Sequence, residues 1–170
     1  MRQMSLRRFG ALTASVIAAV LSFGALQAGA QGATTVLKFY DATSTFTGVG
    51  FDANNPNAVP PLGSSFIITI VLKNIGSQFG KPSGTKIGRV LIECTVLTEN
   101  TPQDLDGYCN GIAHVPNGFF TFAGNGALTN ARISYFGITG GAGTYADDRG
   151  QIKVVNLPNG GSDATVMLSS

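Results

Sequence analysis

Few side chains in this sequence can do acid–base or electrostatic chemistry. Five of them fall within or beside runs of strand-forming residues: Glu93, Tyr108, His114, Arg132 and Tyr135. An arginine supplies fixed positive charge toward a developing oxyanion or phenolate, and a tyrosine or the single histidine donates or shuttles a proton. Glu93 sits in the middle of RVLIECT; pointing inward, it would have a raised pKa and act as acid or base, and its bland alternative is a solvent-facing or arginine-paired carboxylate. Arg132 is likewise either a functional cation or a salt-bridge partner of Glu93 or Asp41. It lies three positions from Tyr135, so in a regular strand the two face opposite sides and cannot enter one lumen without a bulge. His114, near the end of its run, reads as a rim or surface residue. The single histidine is not read as part of a Ser-His-Asp triad, and a metal site would want more ligands than one His and two distant Cys supply.

The apolar side of the site is expected from Phe120, Phe122 and Phe136. The first two follow the Pro116-Asn117-Gly118 turn, where Asn-Gly favours a tight reversal between strands. They are either core anchors or the lining of an apolar ligand cavity.

The elements that must hold these residues read as all-β. Strand-like runs separated by turn residues cover Thr35–Tyr40, Ser65–Leu72, Lys86–Leu97, Gly107–Val115, Gly118–Gly124, Ala127–Phe136, Gln151–Leu157 and Asp163–Ser169. Eight is a number of strands that closes into a small barrel with no exposed edge. After residue 31 no segment keeps a helical period for three turns without interruption. The 23 glycines of the chain follow no collagen period and fit tight turns and barrel corners. The long connections Asp41–Ser64 and Lys73–Thr85 carry the Asn, Asp, Pro, Gly and Ser residues that stop strand growth.

Alternation separates the faces. From Arg89 to Thr95 one side is Arg89, Leu91, Glu93 and Thr95, the other Val90, Ile92 and Cys94. From Tyr108 the sides are Tyr108, Asn110, Ile112 and His114 against Cys109, Gly111, Ala113 and Val115. A hairpin across Glu99–Asp106 makes a Cys94–Cys109 disulfide geometrically plausible. These are the only cysteines, and in an oxidising compartment a structural disulfide is their simplest use.

That compartment is implied by residues 1–30: a basic start with Arg2, Arg7 and Arg8, an apolar run from Ala11 to about Leu26, and Ala28-Gly29-Ala30. This is the pattern of a secretory signal peptide ahead of a single domain over 31–170, exported to a periplasmic or extracellular space. No second apolar segment follows, so stable membrane insertion is not expected after its removal. Of 11 basic and 9 acidic residues in the chain, three arginines leave with the signal, so eight bases face nine acids, a formal −1. That balance does not favour a nucleic-acid partner.

The glycine cluster Gly140, Gly141 and Gly143 would suit a phosphate only between a strand and a helix. QIKVVNL follows it and reads as a strand. Thr139-Gly140-Gly141-Ala142-Gly143-Thr144-Tyr145-Ala146, followed by Arg149-Gly150, instead resembles the GGTG-x-[FY]-x-x-A-x-G signature of dirigent proteins and their bacterial relatives in the allene oxide cyclase-like barrel superfamily. The IGR core of Thr85–Val90 resembles the G-x-x-x-G-R strand of that group, and Gly118–Gly124 the strand before its glycine-containing hairpin. Ala142 stands in place of the usual Thr, Asp148 in place of Ala, and Arg132 lies eight residues before Gly140 where about six is usual. The resemblance, over roughly 80–156, implies an eight-stranded antiparallel β-barrel, often trimeric, with an apolar cavity at one mouth. It implies binding of a small hydrophobic molecule, either in a cofactor-free cyclase or stereocontrol protein of isomerase type or in a non-enzymatic ligand-binding or structural barrel.

Overall fold

The computed structural model describes residues 34–51, 60–101, 104–127, 133–158 and 161–170. The expectation of a signal peptide over 1–30 lies outside the described residues.

Eight strands run β1 (Thr34–Val49), β2 (Ser65–Asn74), β3 (Lys86–Thr101), β4 (Asp104–Val115), β5 (Gly118–Ala127), β6 (Ile133–Gly143), β7 (Arg149–Asn156) and β8 (Ser162–Ser169). Each pairs antiparallel with its neighbour in sequence, and β1 pairs with β8, closing the barrel as expected. Closure leaves no edge strand to template aggregation. All eight strands fall within one compact unit, Ala33–Ser170, whose ladders close on themselves.

Alternation decides what is inside. On β3 and β4 the inward residues are Val90, Cys94 and Val96, and Cys109, Ala113 and Val115, all buried. The apolar side read from each run is therefore the lumenal one. Phe39, Phe66, Phe120, Phe122, Phe136, Ile152, Val166 and Leu168 complete the core. An eight-stranded barrel has an interior only just wide enough for its side chains, so large rings need small neighbours. Gly111 supplies one such space: a Cβ there would lie 2.5 Å from the tip of the Phe122 ring. Gly126 does the same for Phe136, at 2.8 Å.

Four details differ from the sequence reading. β3 runs on to Thr101 and β4 starts at Asp104, so most of Glu99–Asp106, read as a hairpin connection, is paired in the ladder. β1 does not stop at Tyr40 but continues to Val49, and the register between β1 and β2 slips between Asp41 and Thr43. That bulge preserves the ladder past the polar residues that read as a strand stop. The sixth strand is Ile133–Gly143, shifted from Ala127–Phe136, because the backbones of Gly140, Gly141 and Ala142 pair with Thr121, Phe120 and Phe119. Glycine loses side-chain packing in a strand but keeps its ladder groups. The β4–β5 turn is centred on Pro116 and Asn117, with Asn117 at φ 71°; proline first and a left-handed asparagine second suit a type II turn, one residue before the expected Asn-Gly pair.

The two barrel ends differ. At one, the β2–β3, β4–β5 and β6–β7 connections gather. Asn74, 2 % exposed, donates from Nδ2 to the carbonyls of Gln78 at 3.0 Å and Lys81 at 3.1 Å, holding the β2–β3 loop over the end of the barrel. The phenol of Tyr145 donates to the Pro116 carbonyl at 3.1 Å, and its ring meets Phe120 edge-on at 5.9 Å. At the other end the β1, β3, β5 and β7 strands finish, and there the lumen opens.

Candidate functional site

The lumen is one passage in two parts. An inner chamber of about 60 Å³ is walled by apolar residues that include Phe39, Leu72, Val90, Phe120, Phe122 and Val166. A wider vestibule of about 290 Å³ leads to the mouth past Phe46, Phe66, Leu105 and the two cysteines. Asp41, Ile70, Ile92, Phe136 and Ser162 border both parts, so they form the neck between them.

Asp41 is the one carboxylate among the described residues that lines either part. Its position follows from local backbone. Leu37, Phe39 and Asp41 share the inward parity of β1, and Asp41 pairs with Ser162 on β8 and Leu72 on β2. The bulge just after it restores Ser44 and Phe46 to the lumenal side, where both line the vestibule. Asp41 Oδ1 is buried, and the residue is also engaged within the protein. A carboxylate is acceptor-only when ionised and gains a donor when protonated. With Ser44, Asn156 and Ser162 nearby on the wall, the neck offers polar contacts between two apolar surfaces.

The Cys94–Cys109 disulfide forms across directly paired residues of β3 and β4, with Cα atoms 4.0 Å apart. Both cysteines are buried and line the vestibule. Staple and vestibule wall are thus the same group of atoms.

Phe120, Phe122 and Phe136 project into the lumen, with Phe122 and Phe136 packed edge-on at 5.6 Å. None of the polar candidates among the described residues joins them. Glu93 stands exposed on the outer wall, opposite Ile67 and Asn110, so the inward reading is corrected to the outward one. Its parity follows from Ile92 and Cys94, which occupy the inside. His114 is exposed on the outside of β4, its ring 5.7 Å from Phe119. Tyr108 and Tyr135 are 45 % and 53 % exposed on the same outer side. Arg132 lies outside the described residues.

Asp41 was the residue that sequence reasoning passed over, appearing only as a partner for Arg132. Its signal was present in LKFYD, where alternation carries Leu37 and Phe39 on to Asp41. Ending the strand at Tyr40 hid it.

No protein-family model and no curated protein matches the chain. Among solved structures, a pyocyanin demethylase is 20 % identical, aligning over 81 % of this chain and 100 % of its own with a TM-score of 0.56. The Diels-Alderase AbmU from Streptomyces koyangensis is 16 % identical over 99 % of this chain and 83 % of its own, TM-score 0.58. A pterocarpan synthase dirigent protein is 12 % identical over 81 % of this chain and 89 % of its own, TM-score 0.58. At these identities the likeness is one of fold.

Proposed function

We propose that the barrel is an exported protein that takes a small, mostly apolar molecule into its lumen and anchors one hydrogen-bond donor of that molecule on Asp41. The observation that carries this reading is Asp41, the one lumenal carboxylate among the described residues, at the neck of a mostly apolar passage. A vestibule of about 290 Å³ lies at the small end of ligand sites, which begin at about 300 Å³. The fit is to a compact ring system in the vestibule with a short apolar group reaching between Phe120 and Phe122. Polar contacts would then fix orientation while the rings supply affinity.

A second reading, cofactor-free cyclisation or stereocontrol, is favoured by the same carboxylate. Asp41 would take a proton from a bound molecule and return it, beside a chamber walled mostly by apolar side chains. Relatives in fold that are named as Diels-Alderases and as a dirigent protein support confinement of a reactive molecule as the shared theme. The trimer implied by the resemblance belongs to this proposal too.

Native mass spectrometry of the purified protein reads oligomeric state and any co-purified molecule together. An apolar fluorescent dye, displaced by pairs of small ligands with and without a hydroxyl or amine, then tests the neck. Asp41→Asn is expected to weaken the donor-bearing ligand roughly ten-fold or more and leave the apolar isostere unchanged. Equal affinity of both proteins for both ligands would remove Asp41 from the site, and failure to take up dye would remove the cavity reading itself.

A further inference from the structure

Four of the five lysines of the chain, Lys38, Lys73, Lys81 and Lys86, stand on β1, β2, β3 and the β2–β3 loop, and Lys153 lies two strands beyond them on β7. Register places them together. Lys153 on β7 and Lys38 on β1 both pair with Thr165 of β8, one from each side. Lys73 on β2 pairs with Tyr40 on one side and Lys86 of β3 on the other. Arg89 continues the same wall opposite Val71. Lys81 joins them through the β2–β3 loop: it bridges to Gln78, whose side chain accepts from the Lys38 N–H at 2.9 Å and donates to the Lys38 carbonyl. With strands about 4.8 Å apart, the group follows the curved wall over an arc of roughly 20 Å, four of the eight steps round the barrel.

The wall carries little compensating charge. Among the described residues of β7, β8, β1, β2 and the β2–β3 loop, Asp163 of β8 is the one carboxylate that faces outward, since Asp41 faces the lumen, and on β3 Glu93 faces outward four residues beyond Arg89. Residues 31–170 as a whole hold eight bases and nine acids, so the patch is a segregation of charge and not an average property. It is also held at a cost. Lys73 and Lys86 are directly opposed, and like charges so placed repel.

We propose that this wall is a docking face for an anionic lipid surface, a role independent of what the lumen holds. The choice of lysine points to it. Lysine is a hydrated point charge on a flexible stem, suited to a diffuse anionic field, whereas the fork of arginine suits bidentate recognition of a single group. Lysine is depleted at protein–protein interfaces, which disfavours a folded protein partner. The patch spreads in two dimensions across the sheet, matching a headgroup layer better than a linear polyanion. Val36, 49 % exposed beside Lys38 on β1, adds apolar surface that enters the headgroup region. Adsorption of this kind leaves the barrel folded and peripheral. It would also bring the lumen alongside the phase in which an apolar ligand accumulates.

The test uses residues 33–170, the unit whose ladders close within themselves, and sedimentation with vesicles of phosphatidylcholine with or without phosphatidylglycerol. Binding is expected only to the anionic vesicles and is expected to fall steeply with salt. Each lysine near such a surface is worth roughly five-fold in partitioning, so Lys38→Gln/Lys86→Gln should lose roughly twenty-five-fold, and Lys81→Gln/Lys153→Gln should lose as much. Asn110→Glu/Asn125→Glu changes the formal charge by the same amount on exposed sites of β4 and β5 and should lose only a few-fold. Thermal melting of each variant reports folding separately. Absence of binding to anionic vesicles, equal loss in the lysine and asparagine variants, or retention on a sulfated polysaccharide resin without vesicle binding would each overturn the proposal.

Discussion

The two ends of the barrel are built from the same strands and solve opposite problems. The closed end hides its backbone polar groups behind side chains that hydrogen-bond to carbonyls: Asn74 on the β2–β3 loop and Tyr145 on the β4–β5 turn. Both side chains are buried. The mouth leaves its aromatic wall incomplete. Phe46 stacks on Phe66 at 4.8 Å yet remains 47 % exposed, and the space beside it is the vestibule. An apolar core gains from every filled gap, so a vestibule kept open at the end opposite a closed one is unfilled volume that packing alone would not select. The difference puts filled packing at one end and open volume at the other, the end where binding is proposed.

The largest test of that division is to truncate one aromatic ring at each end. Phe120, 1 % exposed above Tyr145, is expected to cost about 3–5 kcal/mol as Phe120→Ala. Phe46→Ala at the mouth is expected to cost less than about 1.5 kcal/mol while lowering dye uptake. Denaturant unfolding of both variants measures the first quantity and dye titration the second. Comparable losses of stability would mean that the mouth is packed core and the division fails.

The disulfide belongs to both halves of the comparison, since it staples β3 to β4 and walls the vestibule. Cys94→Ala/Cys109→Ala is expected to lose about 3 kcal/mol, the loop-closure value for a separation of 15 residues. Because the cysteines lie on the mouth side of the lumen, dye affinity should fall as well. Quantitative thiol labelling of the unreduced wild-type protein would contradict the bond itself.

How much of this was legible depended on whether a signal was periodic. Alternation in 89–95 and 108–115 sorted the side chains into two faces, with Cys94 on the apolar one, and left open which face lines the barrel; a hairpin made the Cys94–Cys109 pair plausible. Parity also separated Arg132 from Tyr135, although Arg132 lies outside the described residues. What escaped was carried by irregularities. Asp41 sits one step before a bulge, and a bulge has no composition of its own; DATST reads as punctuation because Asp, Ser and Thr usually are. Gly140 and Gly141 read as a turn for the same reason, yet their backbones complete the β5–β6 ladder. Glu93 was undecidable by residue type, and its neighbours Ile92 and Cys94 settled it by filling the inside. The mouth was therefore harder to read than the closed end, since its defining carboxylate depends on a register shift.

The smallest effect sharpens the closed end. Burial, and secondarily the negative charge of Asp148, push the Tyr145 phenol above its ordinary value of 10.0. The folded protein thus holds this proton more tightly than the unfolded chain does. Stability from this source is complete below pH 10 and drains away as pH rises through the raised value, because the unfolded chain releases the proton first. Tyr145→Phe keeps the ring against Phe120 but removes the donor to Pro116, an expected cost of about 1 kcal/mol at neutral pH. It should also flatten the alkaline limb of the stability profile. Dye affinity at neutral pH should not move, because Tyr145 lines neither part of the lumen. An unchanged alkaline limb would mean that another group governs it, and a change in dye affinity would mean that the closed end and the mouth are coupled through Phe120.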